Sequence, residues 1–168
     1  EKNGEHVVPD ELAIPVRHRG VKGIVTSDDF DHRTLPLAWQ WNHNPDNRYW
    51  SLIERKGFLR LTTSHISENF LTARNTLTQR TFGPQSTAEI RMDISAMRDG
   101  DVAGLGLLQK HYGYLAIKQQ AGKRLLVSVN AETDVAEEMV IANIEQSVIY
   151  LRAHGDFDNQ KDQAQFSY

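Results

Sequence analysis

The sequence predicts an all-β fold: two antiparallel sheets, arranged as a sandwich or a barrel. Three observations predict it. Short runs of alternating apolar and polar residues recur along the 168-residue chain. Turn-forming clusters separate these runs, giving roughly ten to twelve short strands at the spacing of sandwiches and barrels. No window carries apolar residues at helical spacing over a convincing length.

Taken in chain order, residues 1–23 mix Pro, Gly and charge without period and read as a linker or irregular lead-in; residues 24–168 form the sandwich domain. Trp39 and Trp41 are two apart, so on a strand they share a face. Trp50 would share its strand face with Arg48 and Leu52, and Glu54–Gly57 is turn material before the strand "FLRL". In "TARNTLTQR", Ala73, Asn75, Leu77 and Gln79 alternate against Arg74, Thr76, Thr78 and Arg80, predicting a strand with one polar, basic face. "STAEIRMDI" is the clearest strand, with Ala88, Ile90, Met92 and Ile94 on one face. "YGYLAIK" sets Leu115 and Ile117 opposite Tyr112 and Tyr114. "KRLLVSVN" groups Leu125, Val127 and Val129, and "SVIYLRAH" groups Ile149, Leu151 and Ala153. Arg98–Asp101 and Gln120–Lys123 are turns. Residues 132–144 favour a loop and a strand over a helix because β-branched residues interrupt them.

Composition narrows the function. A net charge of -3 with scattered basic residues gives no electrostatic footprint for nucleic acid. No apolar run reaches about 18 residues, so no membrane-spanning helix is predicted. The chain has no Cys, which removes disulfides and thiol chemistry and fits either cytoplasm or secretion. It opens on Glu1 and ends on the strand-like "AQFSY". A segment of a longer polypeptide, truncated at the sandwich's C-terminal side, is therefore expected.

The candidate site is the stretch from Trp39 to Trp50, which holds all three tryptophans around a polar loop. Trp39 and Trp41 suit core packing between sheets, or a stacking surface for sugar rings. Asn42, His43 and Asn44 suit either a turn or sugar hydroxyls. Arg74, Asn75 and Gln79 suit a solvated sheet face or a polar contact with another domain or a glycan. Asp28 and Asp29 could join a structural calcium site. Asp156, Asp158 and Asp162 have EF-hand-like spacing, but Lys161 stands where the sharp-turn glycine belongs and Ser167 replaces the bidentate Glu. No nucleophile elbow, phosphate loop or dinucleotide motif is present, so no catalytic residue is assigned and no cofactor is required.

Four stretches carry a resemblance: "DDFD…LAWQWNHNPDNRYWSLIERKGFLRL", "ARNTLTQRTFGP", "DISAMRDGDVAGLGLLQKHYGYLAIK" and "IYLRAHGDFD…AQFSY". In order, from about Ser27 to Tyr168, they resemble the C-terminal domain of bacterial β-xylosidases and α-L-arabinofuranosidases of glycoside hydrolase family 43. The resemblance implies a concanavalin A-like jelly-roll sandwich. It also implies a partner, a catalytic β-propeller of the same polypeptide that holds the two carboxylates of an inverting glycosidase. The domain would then be a non-catalytic accessory that packs on the propeller and helps shape a site for plant cell-wall oligosaccharide. An autonomous module binding xylan or arabinan is the alternative. In the loop Thr62–Arg74, Phe70 either tucks back into its own sandwich or, as the resemblance implies, reaches toward the propeller to narrow the substrate pocket, with His65 as the second candidate. The parent protein would be bacterial, with periplasm or secretion favoured over cytoplasm, and neither membrane nor nucleic acid is expected as partner.

Overall fold

The computed structural model describes residues 23–133 and 135–168, so the expected lead-in lies outside it except for Gly23. Four short strands come first: β1 (Gln40–Trp41), β2 (Trp50–Ser51), β3 (Arg60–Leu61) and β4 (Leu77–Thr78). Seven longer ones follow: β5 (Gln85–Asp93), β6 (Val102–Leu107), β7 (Tyr112–Gln120), β8 (Lys123–Ala131), β9 (Glu137–Asn143), β10 (Val148–Asp156) and β11 (Gln163–Ser167). Every ladder is antiparallel. The all-β prediction holds, and the segment after Ala131 is a loop and a strand, as its β-branched residues require.

Consecutive hairpins build one sheet, in the order β6-β7-β8-β9. The other large sheet runs β11-β10-β5, with β10 in the middle. The short strands pair as β1 with β4 and β2 with β3. The β7–β8 turn puts both Ala121 (φ 50°) and Gly122 (φ 73°) in the left-handed region. A two-residue hairpin needs this because such a turn matches the twist of its flanking strands.

Burial follows the alternation. On β5, Ile90 and Met92 stand opposite Leu151 and Ile149 of β10. Ile94, Leu115, Ile117, Leu126, Ile149 and Leu151 form the core cluster between the large sheets. Phe166 of β11 and Leu105 of β6 pack against it. One face assignment needs refinement. Leu126, next to the predicted group, is the β8 residue in the intersheet core, whereas Val129 belongs to a separate cluster with Tyr112 and Ala131. That second cluster lies on the sheet's other face, beneath Phe70 and Leu71.

Two predicted strands are shorter than their alternation suggests. Arg48 does not share a strand with Trp50, because the Asp46 side chain accepts from the Arg48 N–H and caps a 3-10 turn, Asn47–Tyr49. Only Leu77–Thr78 of "TARNTLTQR" is strand. Arg74 and Asn75 form a turn, with Asn75 at φ 54°, a conformation Asn tolerates better than most residues.

Candidate functional site

The polar loop 42–47 and the segment 63–76 lie against each other, held by side-chain bonds to backbone. His43 Nε2 donates to the Leu71 carbonyl at 2.6 Å, and Asn42 Nδ2 donates to the same oxygen at 3.4 Å. The Asn75 side chain is 9% exposed. Its Oδ1 accepts from the Asp46 N–H at 3.0 Å, and its Nδ2 donates to the Asp46 carbonyl at 3.3 Å. The Asn42 N–H donates to the Thr76 carbonyl at 3.0 Å, extending the β1–β4 pairing into the loop.

Asp46 organises its own end of the site. Arg48 donates to both of its oxygens, Nε to Oδ1 at 3.0 Å and Nη2 to Oδ2 at 2.7 Å. The guanidinium and the Arg48 N–H hold the Asp46 carboxyl at about 2, below its ordinary 3.8. Tyr49 meets the His65 ring edge-on at 6.5 Å, and His65 Nδ1 shares a hydrogen bond with Ser64 Oγ at 2.6 Å.

Phe70 opens a 3-10 turn, Phe70–Thr72, capped by Asn69 Oδ1 accepting from the Thr72 N–H. Its ring meets Tyr112 and Tyr114 edge-on, at 5.6 and 5.2 Å. A Cβ at Gly106 would stand 2.9 Å from Phe70 Cε1 and 2.7 Å from Tyr114 Cβ, so the missing side chain makes room for the ring. Burial pushes the Tyr114 hydroxyl above its ordinary value, and the Tyr112 and Glu138 charges push the same way.

The tryptophans divide between two anchors. Trp41 and Trp50 pack at 5.2 Å, and Trp50 Nε1 donates to Asn47 Oδ1. Trp39 packs on Phe30 at 5.5 Å and donates from Nε1 to Asp28 Oδ2 at 2.8 Å. Asp28 Oδ1 accepts from the Phe30 N–H at 2.7 Å, so both oxygens serve the fold. Among the described residues no group of three or more His, Cys, Asp or Glu is placed to hold a metal ion.

Of the predicted site residues, Asn42, His43, His65, Phe70 and Asn75 join one loop assembly. Asn44 and Arg74 lie exposed on its two segments. Gln79 is used elsewhere: its amide bonds the Thr26 N–H and carbonyl, pinning residue 26 beside the end of β4. Sequence reasoning missed the Asp46–Arg48 pair and the Tyr112–Tyr114 floor. The floor had a signal: two tyrosines at i, i+2, opposite the Leu115–Ile117 face, require a second apolar cover.

Residues 27–168 match the family described as the β-xylosidase C-terminal concanavalin A-like domain. A β-xylosidase from Formosa agariphila is 31% identical over 165 residues, 85% of this chain and 27% of that protein. A non-reducing-end α-L-arabinofuranosidase from Bacteroides ovatus is 31% identical over 101 residues, 58% of this chain and 19% of its own length. Among solved structures, a bifunctional GH43-CE protein of Bacteroides eggerthii superposes with a TM-score of 0.83 at 49% identity, over 86% of this chain and 19% of that one. The chain thus spans between 19% and 27% of the length of these relatives.

Proposed function

Because the chain belongs to the family of β-xylosidase C-terminal concanavalin A-like domains, we propose that it is the non-catalytic accessory sandwich of a family 43 glycoside hydrolase. In this reading it packs on a catalytic propeller of the same polypeptide and helps shape a site for xylosidic or arabinosidic oligosaccharides. The observation that carries the proposal is the locked pair of loops. Asn75 and His43 fasten 42–47 to 63–76 through backbone groups, so the exposed side chains of Asn44, His65 and Arg74 are presented from a defined frame. An exposed loop with no partner does not require such fastening, whereas a surface that meets another domain and a substrate does.

The proposal needs no cofactor. Plant cell-wall glycan lies outside the bacterial cell, which favours a periplasmic or secreted parent. Phe70 acts as the anchor of the loop, since its ring is held by Tyr112 and Tyr114, and His65 and Arg74 become the groups that approach the partner domain.

The test is kinetic, on the longer polypeptide that includes the catalytic domain. His65→Ala and Arg74→Ala are expected to lower kcat/KM on xylobiose or aryl arabinofuranoside severalfold while the thermal midpoint stays put. Unchanged kinetics in both variants would overturn the accessory role. Binding of xylan by the isolated chain, lost in the same variants, would instead establish the autonomous module.

A further inference from the structure

The sandwich has a second outward surface, on the β11-β10-β5 sheet. Ile149, Leu151 and Ala153 of β10 are buried toward the core, so Tyr150, Arg152 and His154 face the opposite way. The register sets a neighbour on each side. Arg152 stands between Glu89 of β5 and Ser167 of β11, and His154 stands between Thr87 and Gln165. Directly paired residues share a face, so six polar side chains from three strands form two adjacent rows. A hollow of about 300 Å³ lies over them, with Thr87, Arg152, His154, Gln165 and Ser167 among its lining residues. It is remote from the loop assembly. That assembly covers Tyr112 on the outer face of the β6–β9 sheet, and the intersheet core separates the two outer faces.

The groups in these rows are reachable and already oriented. The Arg152 and Glu89 side chains are 57% and 50% exposed. Arg152 Nε and Nη2 both donate to Glu89 Oε2, at 3.1 and 2.7 Å. Among the described residues this leaves Arg152 Nη1 as an unpaired donor and Glu89 Oε1 as an unpaired acceptor. Thr87 Oγ1 and His154 Nδ1 share a hydrogen bond at 2.8 Å, which orients the imidazole and keeps Nε2 for another partner. Gln165 and Ser167 are exposed, and each can both donate and accept.

This arrangement defines the ligand's chemistry. Arg152 and Glu89 cancel each other's charge, so the rows hold no net charge to select a simple ion. Donors and acceptors lie side by side at roughly 5 Å, the spacing between strands. Neighbouring hydroxyls of a sugar, each both donor and acceptor, match such a set. Tyr150 supplies the apolar part. It is 55% exposed and precedes Arg152 by two residues on the same face, roughly 7 Å along β10. Its cross-strand neighbour Arg91 lies toward the Phe58 ring, 5.4 Å from the centroid. An exposed aromatic face beside planar hydrogen-bonding groups suits the C–H face and hydroxyl edge of a pyranose. From Tyr150 to His154 the strand rises roughly 13 Å, which accommodates more than one ring.

We propose that this face is a non-catalytic carbohydrate site. A neutral oligosaccharide lies along β10, with one ring on Tyr150 and hydroxyls bonded to Arg152, Glu89, His154 and Gln165. The proposal does not rest on the accessory reading of the loops.

The test is an NMR titration of the 168-residue chain with xylotetraose, with cellotetraose and, as an acidic comparison, with tetragalacturonate, each at millimolar concentration. Saturable shifts are expected at the His154 imidazole, the Gln165 side-chain amide and the Ser167 N–H with at least one of the neutral sugars. Tyr150→Ala is expected to weaken that binding at least tenfold, and Gln165→Ala severalfold. Both residues are exposed, so both variants are read on a folded protein. No shift with either neutral sugar would overturn the proposal, as would tighter binding of tetragalacturonate. Shifts confined to the loop residues around His43 and Asn75, or affinity unchanged in both variants, would overturn it too. The loops are read by the kinetics of the longer polypeptide, so failure there is distinguishable from failure here.

Discussion

Asn75 occupies both backbone hydrogen-bonding groups of Asp46, giving its Nδ2 to the carbonyl and its Oδ1 to the N–H, from a left-handed backbone at φ 54°. One amide side chain thus joins two loops 29 residues apart in sequence. Asn75→Ala should therefore lose two hydrogen bonds and strain the backbone, about 2–3 kcal/mol in total. Asn75→Gly keeps the conformation and loses only the bonds. Denaturant midpoints should rank wild type above the Gly variant and the Gly variant above Ala; an Ala variant as stable as wild type would show that the lock contributes nothing.

Gly106 carries a steric prediction. Its missing Cβ is the space that Phe70 Cε1 and Tyr114 Cβ use, with the Gly113 carbonyl also 2.9 Å away. Gly106→Ala should cost about 1–3 kcal/mol, as overpacking does. Combining it with Phe70→Ala should recover the part due to the ring but not the part due to the backbone carbonyl, so the double-mutant cycle should give a coupling well above zero.

The Asp46–Arg48 pair predicts acid sensitivity. The folded-state carboxyl sits at about 2 and the ordinary one at 3.8. A depressed acid contributes stability above its unfolded value and loses it as pH falls through the folded one. Stability should therefore decline from about pH 4 to pH 2, with other carboxylates adding to it. Asp46→Asn retains a capping oxygen but not the charge, so it should flatten that part of the curve. An identical pH profile in the variant would exclude Asp46 as a contributor.

Ala121 is an ordinary residue in a conformation that favours Gly, Asn or Asp. Ala121→Asn or Ala121→Gly should raise stability by about 1 kcal/mol, because the left-handed cost of Ala is removed while the turn is kept. Thermal midpoints of the two variants decide this, and a fall in both would mean that the Ala121 methyl makes a compensating contact.

The sheet interior was legible where one face alone is buried. Ile90 and Met92 on β5, with Ile94 just past its end, and likewise Ile149, Leu151 and Ala153, alternate because β5 and β10 put one face on the core, while Ala88, expected on the same face, is exposed near the strand's start. β8 was harder, because Leu126, Val127 and Val129 are all buried and both of its faces are covered, which erases the period. At the site, the sequence showed a polar loop between tryptophans, and the fold brought Asn42, His43 and Asn75 together there. Their partners are backbone groups of Leu71 and Asp46, which side-chain chemistry cannot announce. The strand expected over 72–80 is cut to Leu77–Thr78 for the same reason: pairing with Asp46 outweighs the alternation around Asn75.

The β6–β9 sheet is made entirely of neighbours in sequence, whereas β5 meets β10 only across that whole meander, with Asp93 opposite Val148. These two kinds of pairing differ in the chain entropy lost before any contact forms. The four-strand meander can zip hairpin by hairpin, while β5 must wait for β10 to return to it. Hydrogen-exchange labelling during refolding should thus protect the Leu115–Leu126 region before the amides of β5. A lesion in the meander would slow assembly of both layers, and one in β5 would chiefly speed their coming apart.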